Sequence, residues 1–129
     1  MKSIQMNLPK HNSSYLHIDS ASKIDVPGGK IIEEFIGRIN TGDSSVSVAH
    51  MIAPPFWSEE PQTPEFDEIT IMISGKMHIK MESESVTLNA GEVFFTKKGI
   101  KVQYSNPFDG KSEYWAICIP AFSVDLAGR

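Results

Sequence analysis

Phe66-Asp67-Glu68-Ile69-Thr70-Ile71-Met72-Ile73-Ser74-Gly75 alternates with a period of two and stops at a glycine. Period two is the repeat of a β-strand, whose successive side chains point to opposite faces of a sheet. If Glu68 points inward, Thr70 and Met72 follow it, while Ile69, Ile71 and Ile73 pack on the other face. A second stretch, Gly91-Glu92-Val93-Phe94-Phe95-Thr96-Lys97-Lys98-Gly99-Ile100-Lys101-Val102-Gln103-Tyr104-Ser105-Asn106, is punctuated in the same way. In it Ile100, Val102 and Tyr104 share one face. Gly75 and Gly91 stand where a strand ends and the chain reverses, positions that favour positive φ and no side chain.

The flanking segments carry the same signature. Strands are expected at Tyr15–Ile18, Lys30–Ile39 and Val46–Ile52, then at 68–73, 77–81, 86–88, 93–96, 102–105 and 113–119. Pro27-Gly28-Gly29, Thr41-Gly42-Asp43-Ser44 and Pro107-Phe108-Asp109-Gly110 are the intervening turns. No helix and no internal repeat is expected. Many short strands at near-regular spacing predict an all-β jelly-roll barrel in one domain over residues 23–129. Residues 1–22 are polar and aperiodic, and read as an arm that is partly disordered or lies as an edge strand on a partner subunit.

A chain of 129 residues fits one domain. Its net charge of −4 argues against nucleic acid, which needs clustered Lys and Arg. The single cysteine, Cys118, cannot close an internal disulfide and reads as a small buried hydrophobe. No apolar stretch approaches the ~18–20 residues that span a membrane, and the first residues lack the apolar core of a signal peptide. A cytoplasmic location is expected.

Glu68 is the most informative candidate. An unpaired carboxylate is rarely buried, because desolvating it costs several kcal/mol unless it is paired or its pKa rises. Inside an apolar barrel it would suit general acid or base work; at a strand end it would be a salt-bridge partner or touch water. Thr70 shares its face. His50 faces the interior if its strand alternates as Val46, Val48, His50. Tyr104 and Trp115 are candidates for aromatic walls carrying a hydroxyl or indole donor. No nucleophile elbow, phosphate loop or Cys-x-x-Cys is present.

The two glycine-punctuated stretches resemble the signature motifs of the cupin superfamily, a double-stranded β-helix. The first motif normally reads His-x-His-(x)3–4-Glu-(x)6-Gly, of which Glu68 and Gly75 are kept. The second normally reads Gly-(x)5-Pro-x-Gly-(x)2-His-(x)3-Asn, of which Gly91, Gly99 and Asn106 are kept; Val102 takes the histidine position. Gln62 and Glu65 lie where the first motif's histidines would sit, at the barrel mouth, and are candidate ligand contacts. Phe66-Asp67-Glu68-Ile69, Ala90-Gly91-Glu92-Val93-Phe94-Phe95 and Ile119-Pro120 are similar to the EutQ group of ethanolamine-utilisation cupins, over roughly residues 45–123. The resemblance implies a cupin barrel without the usual metal histidines, and a homodimer.

The expectation is therefore a EutQ-like cupin that binds a small polar metabolite in its barrel, with no cofactor and no metal. Glu59, Glu60 and Glu65 disfavour anions and suit an amine, a sugar or another neutral polyol. Three readings remain open: a metal-independent isomerase, lyase or cyclase using Glu68; a non-catalytic binding or scaffold module; and an atypical metalloenzyme pairing Glu68 with His50.

Overall fold

The computed structural model describes Lys10, His11 and residues 14–128. Half of the expected arm, residues 1–9 with 12 and 13, lies outside the described residues. Within it, β1 (Lys10–His11) pairs with β2 (Leu16–His17) as a separate small ribbon. The remaining strands are β3 (Ser22–Ile24), β4 (Ile31–Ile36), β5 (Ser47–Ala53), β6 (Trp57–Ser58), β7 (Asp67–Ser74) and β8 (Lys76–Lys80), then β9 (Ser85–Asn89), β10 (Val93–Thr96), β11 (Gln103–Asn106) and β12 (Ser112–Ile119). β2, β4, β5 and β7 to β12 fall on expected segments, although β4 ends at Ile36 rather than Ile39; β1, β3 and β6 lie where no strand was expected. Among the described residues the only helical element is a 3-10 turn at Pro27–Gly29.

Two antiparallel sheets face each other. One has six strands in the order β10-β7-β12-β5-β4-β3, the other four in the order β6-β11-β8-β9. Non-consecutive neighbours such as β7, β12 and β5 give the crossed connectivity of a jelly roll. The reversal from β7 to β8 depends on Gly75, at φ 75°, where any side chain would run into the Lys111 carbonyl. Asn106, the last residue of the second glycine-punctuated stretch, is fully buried. Its side-chain amide donates to the carbonyls of Pro54 (3.0 Å) and Gly110 (2.8 Å), tying two loops to the end of β11.

The barrel is packed at one end and hollow at the other. Met72, Met77, Ile79, Leu88 and Val102 fill the space between the sheets beneath Tyr104 and Tyr114. Above the tyrosines the inward positions shrink to Ser47, Ala49, Thr70 and Ala116, and a chamber is left. Long side chains close a barrel and short ones open it, so side-chain size along each strand sets where the cavity begins.

The opposite face of the six-stranded sheet is also apolar. Phe95 stands opposite Ile69, Ile69 opposite Ile117, and Ile117 opposite Val48, one continuous cross-strand row. Val93 and Phe95 are 58% and 52% exposed. Among the described residues, no helix is long and apolar enough to cross a membrane.

Candidate functional site

The chamber encloses about 60 Å³, room for roughly four to six water-sized groups at the ~10–15 Å³ each needs. Strand parity brings Glu68 and Thr70 of β7 to it, and β11 contributes Tyr104. Gln62 reaches it from the loop after β6. That loop is held by paired backbone bonds between Gln62 and Val102, at 2.9 and 2.8 Å. Four of the residues picked from sequence thus converge on one cavity.

Three others do not. His50, Glu65 and Trp115 lie outside the chamber. On β5 the inward residues are Ser47, Ala49 and Met51, so His50 has the opposite parity and points away. It sits within hydrogen-bond distance of Glu33 (3.2 Å) and Glu113 (2.7 Å), with its ring 5.1 Å from that of Trp115. Trp115 is outward for the same reason, since Tyr114, Ala116 and Cys118 take the inward places on β12. Glu65 is exposed, and its backbone N–H donates to the Leu126 carbonyl at 2.7 Å.

The structure adds Lys30, Glu59 and Tyr114 to the lining, and with them Glu34 and Cys118. Of these, sequence reasoning weighed only Glu59 for the site, as an acidic loop residue that disfavours anions; the small residues Ala116 and Cys118 at alternate positions were the signal for the inner face of β12. Glu34 is committed elsewhere: its Oε1 accepts the backbone N–H groups of Ile39 and Asn40, each at 2.9 Å. It shapes the wall by holding the loop after β4.

The electrostatics follow from burial beside carboxylates. Desolvation pushes the Tyr104 phenol well above its ordinary value; Glu68 adds to the rise and the neighbouring Thr70 hydroxyl opposes it. Burial raises Tyr114 in the same way, with Glu59 and then Glu68 adding to it. Burial followed by Glu68 raises the Cys118 thiol, so it stays protonated and a poor nucleophile. Near neutral pH the chamber therefore offers phenol and hydroxyl protons around a carboxyl group.

Two of those groups lack partners. The Tyr104 and Thr70 hydroxyls are buried, and among the described residues neither makes a hydrogen bond. They lie near one another. Buried hydroxyls are nearly always satisfied, so two orphans in one cavity mark a place for an external polar group.

A cupin barrel implies a metal, and the donors here do not fit one. A first-row ion wants three or four imidazole, thiolate or carboxylate ligands. The chamber holds no imidazole, and Glu34 is bound to a loop. Among the described residues no group of three or more His, Cys, Asp or Glu converges. His50 lies on the other side of the sheet from Glu68 and cannot share an ion with it.

A family model described as "Ethanolamine utilisation protein EutQ" matches residues 39–121, which include β7, β11, β12 and the orphan hydroxyls. The chain belongs to the EutQ family. This EutQ-family chain is 46% identical over 99 residues to the Endoribonuclease YbeY of Myxococcus xanthus, covering 77% of the chain and 34% of that protein. It is 30% identical over 78 residues to the Acetate kinase EutQ of Escherichia coli, covering 59% of the chain and 33% of that protein. The chain thus spans about a third of the length of these curated relatives. Its structure matches that of an RmlC-like cupin from Shewanella frigidimarina at a TM-score of 0.68 and 12% identity, over 85% of this chain and 93% of that one. The EutQ-family chain has the cupin fold.

Proposed function

We propose that the chamber binds a small polar metabolite, amine-bearing or hydroxylated, through Glu68, Thr70, Tyr104 and Gln62. The observation that carries this is the pair of unpartnered hydroxyls beside a carboxyl group in a walled cavity. Leaving a buried polar group unsatisfied costs about 1–3 kcal/mol, which a ligand's own polar atoms recover on binding. Glu59 and Glu68 repel anions and favour cationic or neutral donors. The activities named for the relatives are not carried over: acetate is an anion, and RNA needs a basic surface that a net charge of −4 does not favour. Thermal melts against a panel of amino alcohols and polyols test the reading, because a ligand that binds only the folded state raises Tm. At least one compound should raise it, and Glu68→Ala should remove the shift; a flat panel overturns the proposal.

A second reading is that Glu68 acts as an acid or base in metal-independent isomerisation, elimination or cyclisation. It is favoured by the position of Glu68 among groups that keep their protons. Glu68→Gln keeps the shape and should abolish turnover of any substrate the panel reveals; full turnover refutes it.

The apolar outer face favours a second copy of the chain as partner. Large exposed patches on a stable protein mark interaction sites, and Phe95, Val93 and Ile73 form such a patch on β7 and β10. Light scattering should give twice the chain mass, and Phe95→Glu should halve it. A monomer at micromolar concentration sinks the proposal.

A further inference from the structure

The chamber has a neighbour. A groove of about 520 Å³ opens outside it, walled by Val26, Pro27, Trp57 and Pro61. Lys30, Ile32, Glu59 and Gln62 line both hollows, so the two meet at a shared neck. The Lys30 ammonium lies 4.4 Å from the ring centroid of Trp57, which lines the groove, and 5.4 Å from that of Tyr114, which lines the chamber. One side chain thus touches an aromatic wall of each compartment.

The groove is built by backbone as well as by side chains. Gly28 and Gly29 turn the chain at φ 89° and 81°. A Cβ at Gly28 would stand 3.3 Å from the Trp57 ring, so the bare backbone lets the indole pack beneath the turn. Pro27 and Pro61 stiffen the two lips.

We propose that this groove is the second compartment of the same site, and that the ligand is a two-part molecule. Its head, of about four to six non-hydrogen atoms, carries the amine or hydroxyl groups and fills the chamber. Its tail is apolar or planar, leaves through the neck and lies along the wall of Val26, Pro27 and Pro61. The inference rests on the chamber reading. Size supports it: the groove is several times larger than the chamber, and the two share four lining residues. Chemistry supports it as well: the groove sets the apolar faces of Val26, Pro27, Trp57 and Pro61 beside Ser58, Glu59 and Glu60, a wall that suits an apolar or planar tail bearing no negative charge.

Matched pairs of probes test it by calorimetry. The heads are 2-aminoethanol and glycerol; the tailed partners are 2-(benzylamino)ethanol and 3-benzyloxypropane-1,2-diol. In at least one pair the tailed compound should bind about tenfold or more tightly than its head. Val26→Trp, or Pro61→Tyr on the exposed lip, should fill the groove and remove that gain while leaving the head's Kd unchanged. Heads that bind without any gain from the tail, or a gain that survives both variants, overturn the groove and leave the chamber reading standing. If neither heads nor tailed compounds bind, the chamber reading fails and the groove falls with it.

Discussion

Replacing Tyr104 by phenylalanine removes one oxygen and keeps the ring that floors the chamber. In most proteins losing a buried tyrosine hydroxyl costs stability, because its hydrogen bond goes with it. Here that hydroxyl has no partner among the described residues, whereas water solvates it once the chain unfolds. Removing it therefore takes a favourable interaction from the unfolded state alone. The variant should be more stable by about 1 kcal/mol, the low end of the ~1–3 kcal/mol typical of an unsatisfied buried group. With an unfolding entropy of roughly 2.1 cal/mol/K per residue over 129 residues, 1 kcal/mol is a rise in Tm of about 4 °C. pH supplies an internal control. The folded phenol's pKa is raised above its ordinary 10.0, so above pH 10 the unfolded chain loses a proton that the folded chain keeps. Folding is then disfavoured as pH rises, by up to about 1.4 kcal/mol per unit from this group. The Tyr104→Phe variant has no such proton, so its advantage should widen by about 1.4 kcal/mol between pH 8 and 11. Urea unfolding at the two pH values measures both. A variant less stable than the parent by 1 kcal/mol or more at pH 8, or an advantage that does not grow with pH, refutes the reasoning that this hydroxyl is held in reserve for a ligand.

Asn106→Ala should destabilise by about 3 kcal/mol in urea unfolding, since the loop carbonyls of Pro54 and Gly110 lose their donor inside the protein. It should leave the ligand's affinity for the folded fraction unchanged. Glu34→Ala should cost about 2 kcal/mol or more, because the Ile39 and Asn40 N–H groups lose their acceptor; its effect should be visible as faster amide exchange in residues 37–42. His50→Gln should alter neither affinity nor turnover, because the imidazole lies behind the sheet from the chamber; a tenfold loss by calorimetry would show that the outer face reaches the site.

Much of the site was legible where a strand's inward face is chemically distinct. β7 alternates Glu68-Thr70-Met72 against Ile69-Ile71-Ile73, and the polar set had to face a cavity if the isoleucines faced hydrocarbon. Gly75 and Gly91 announced the reversals. On β5 and β12 the same logic misled. Both faces there are largely apolar, and the larger residues, Trp115 on β12 and His50 on β5, drew attention to the wrong side. The inward residues Ser47, Ala49, Ala116 and Cys118 are small because a chamber needs space. Lys30 and Glu59 were harder still. They enter from loops, where no periodicity ties a side chain to a face, and they belong to the site only because the turn at Pro27–Gly29 folds over Trp57.

Local chemistry alone determined the strand positions, the all-β class and the parity of β7, because period-two alternation and glycine reversals act over a few residues. The choice of inner face on β5 and β12, the packed and hollow ends of the barrel, and the two orphan hydroxyls were decided by the tertiary structure. Those depend on which side chains meet across roughly 10 Å of barrel from strands far apart in the chain, and on how much volume they leave unfilled.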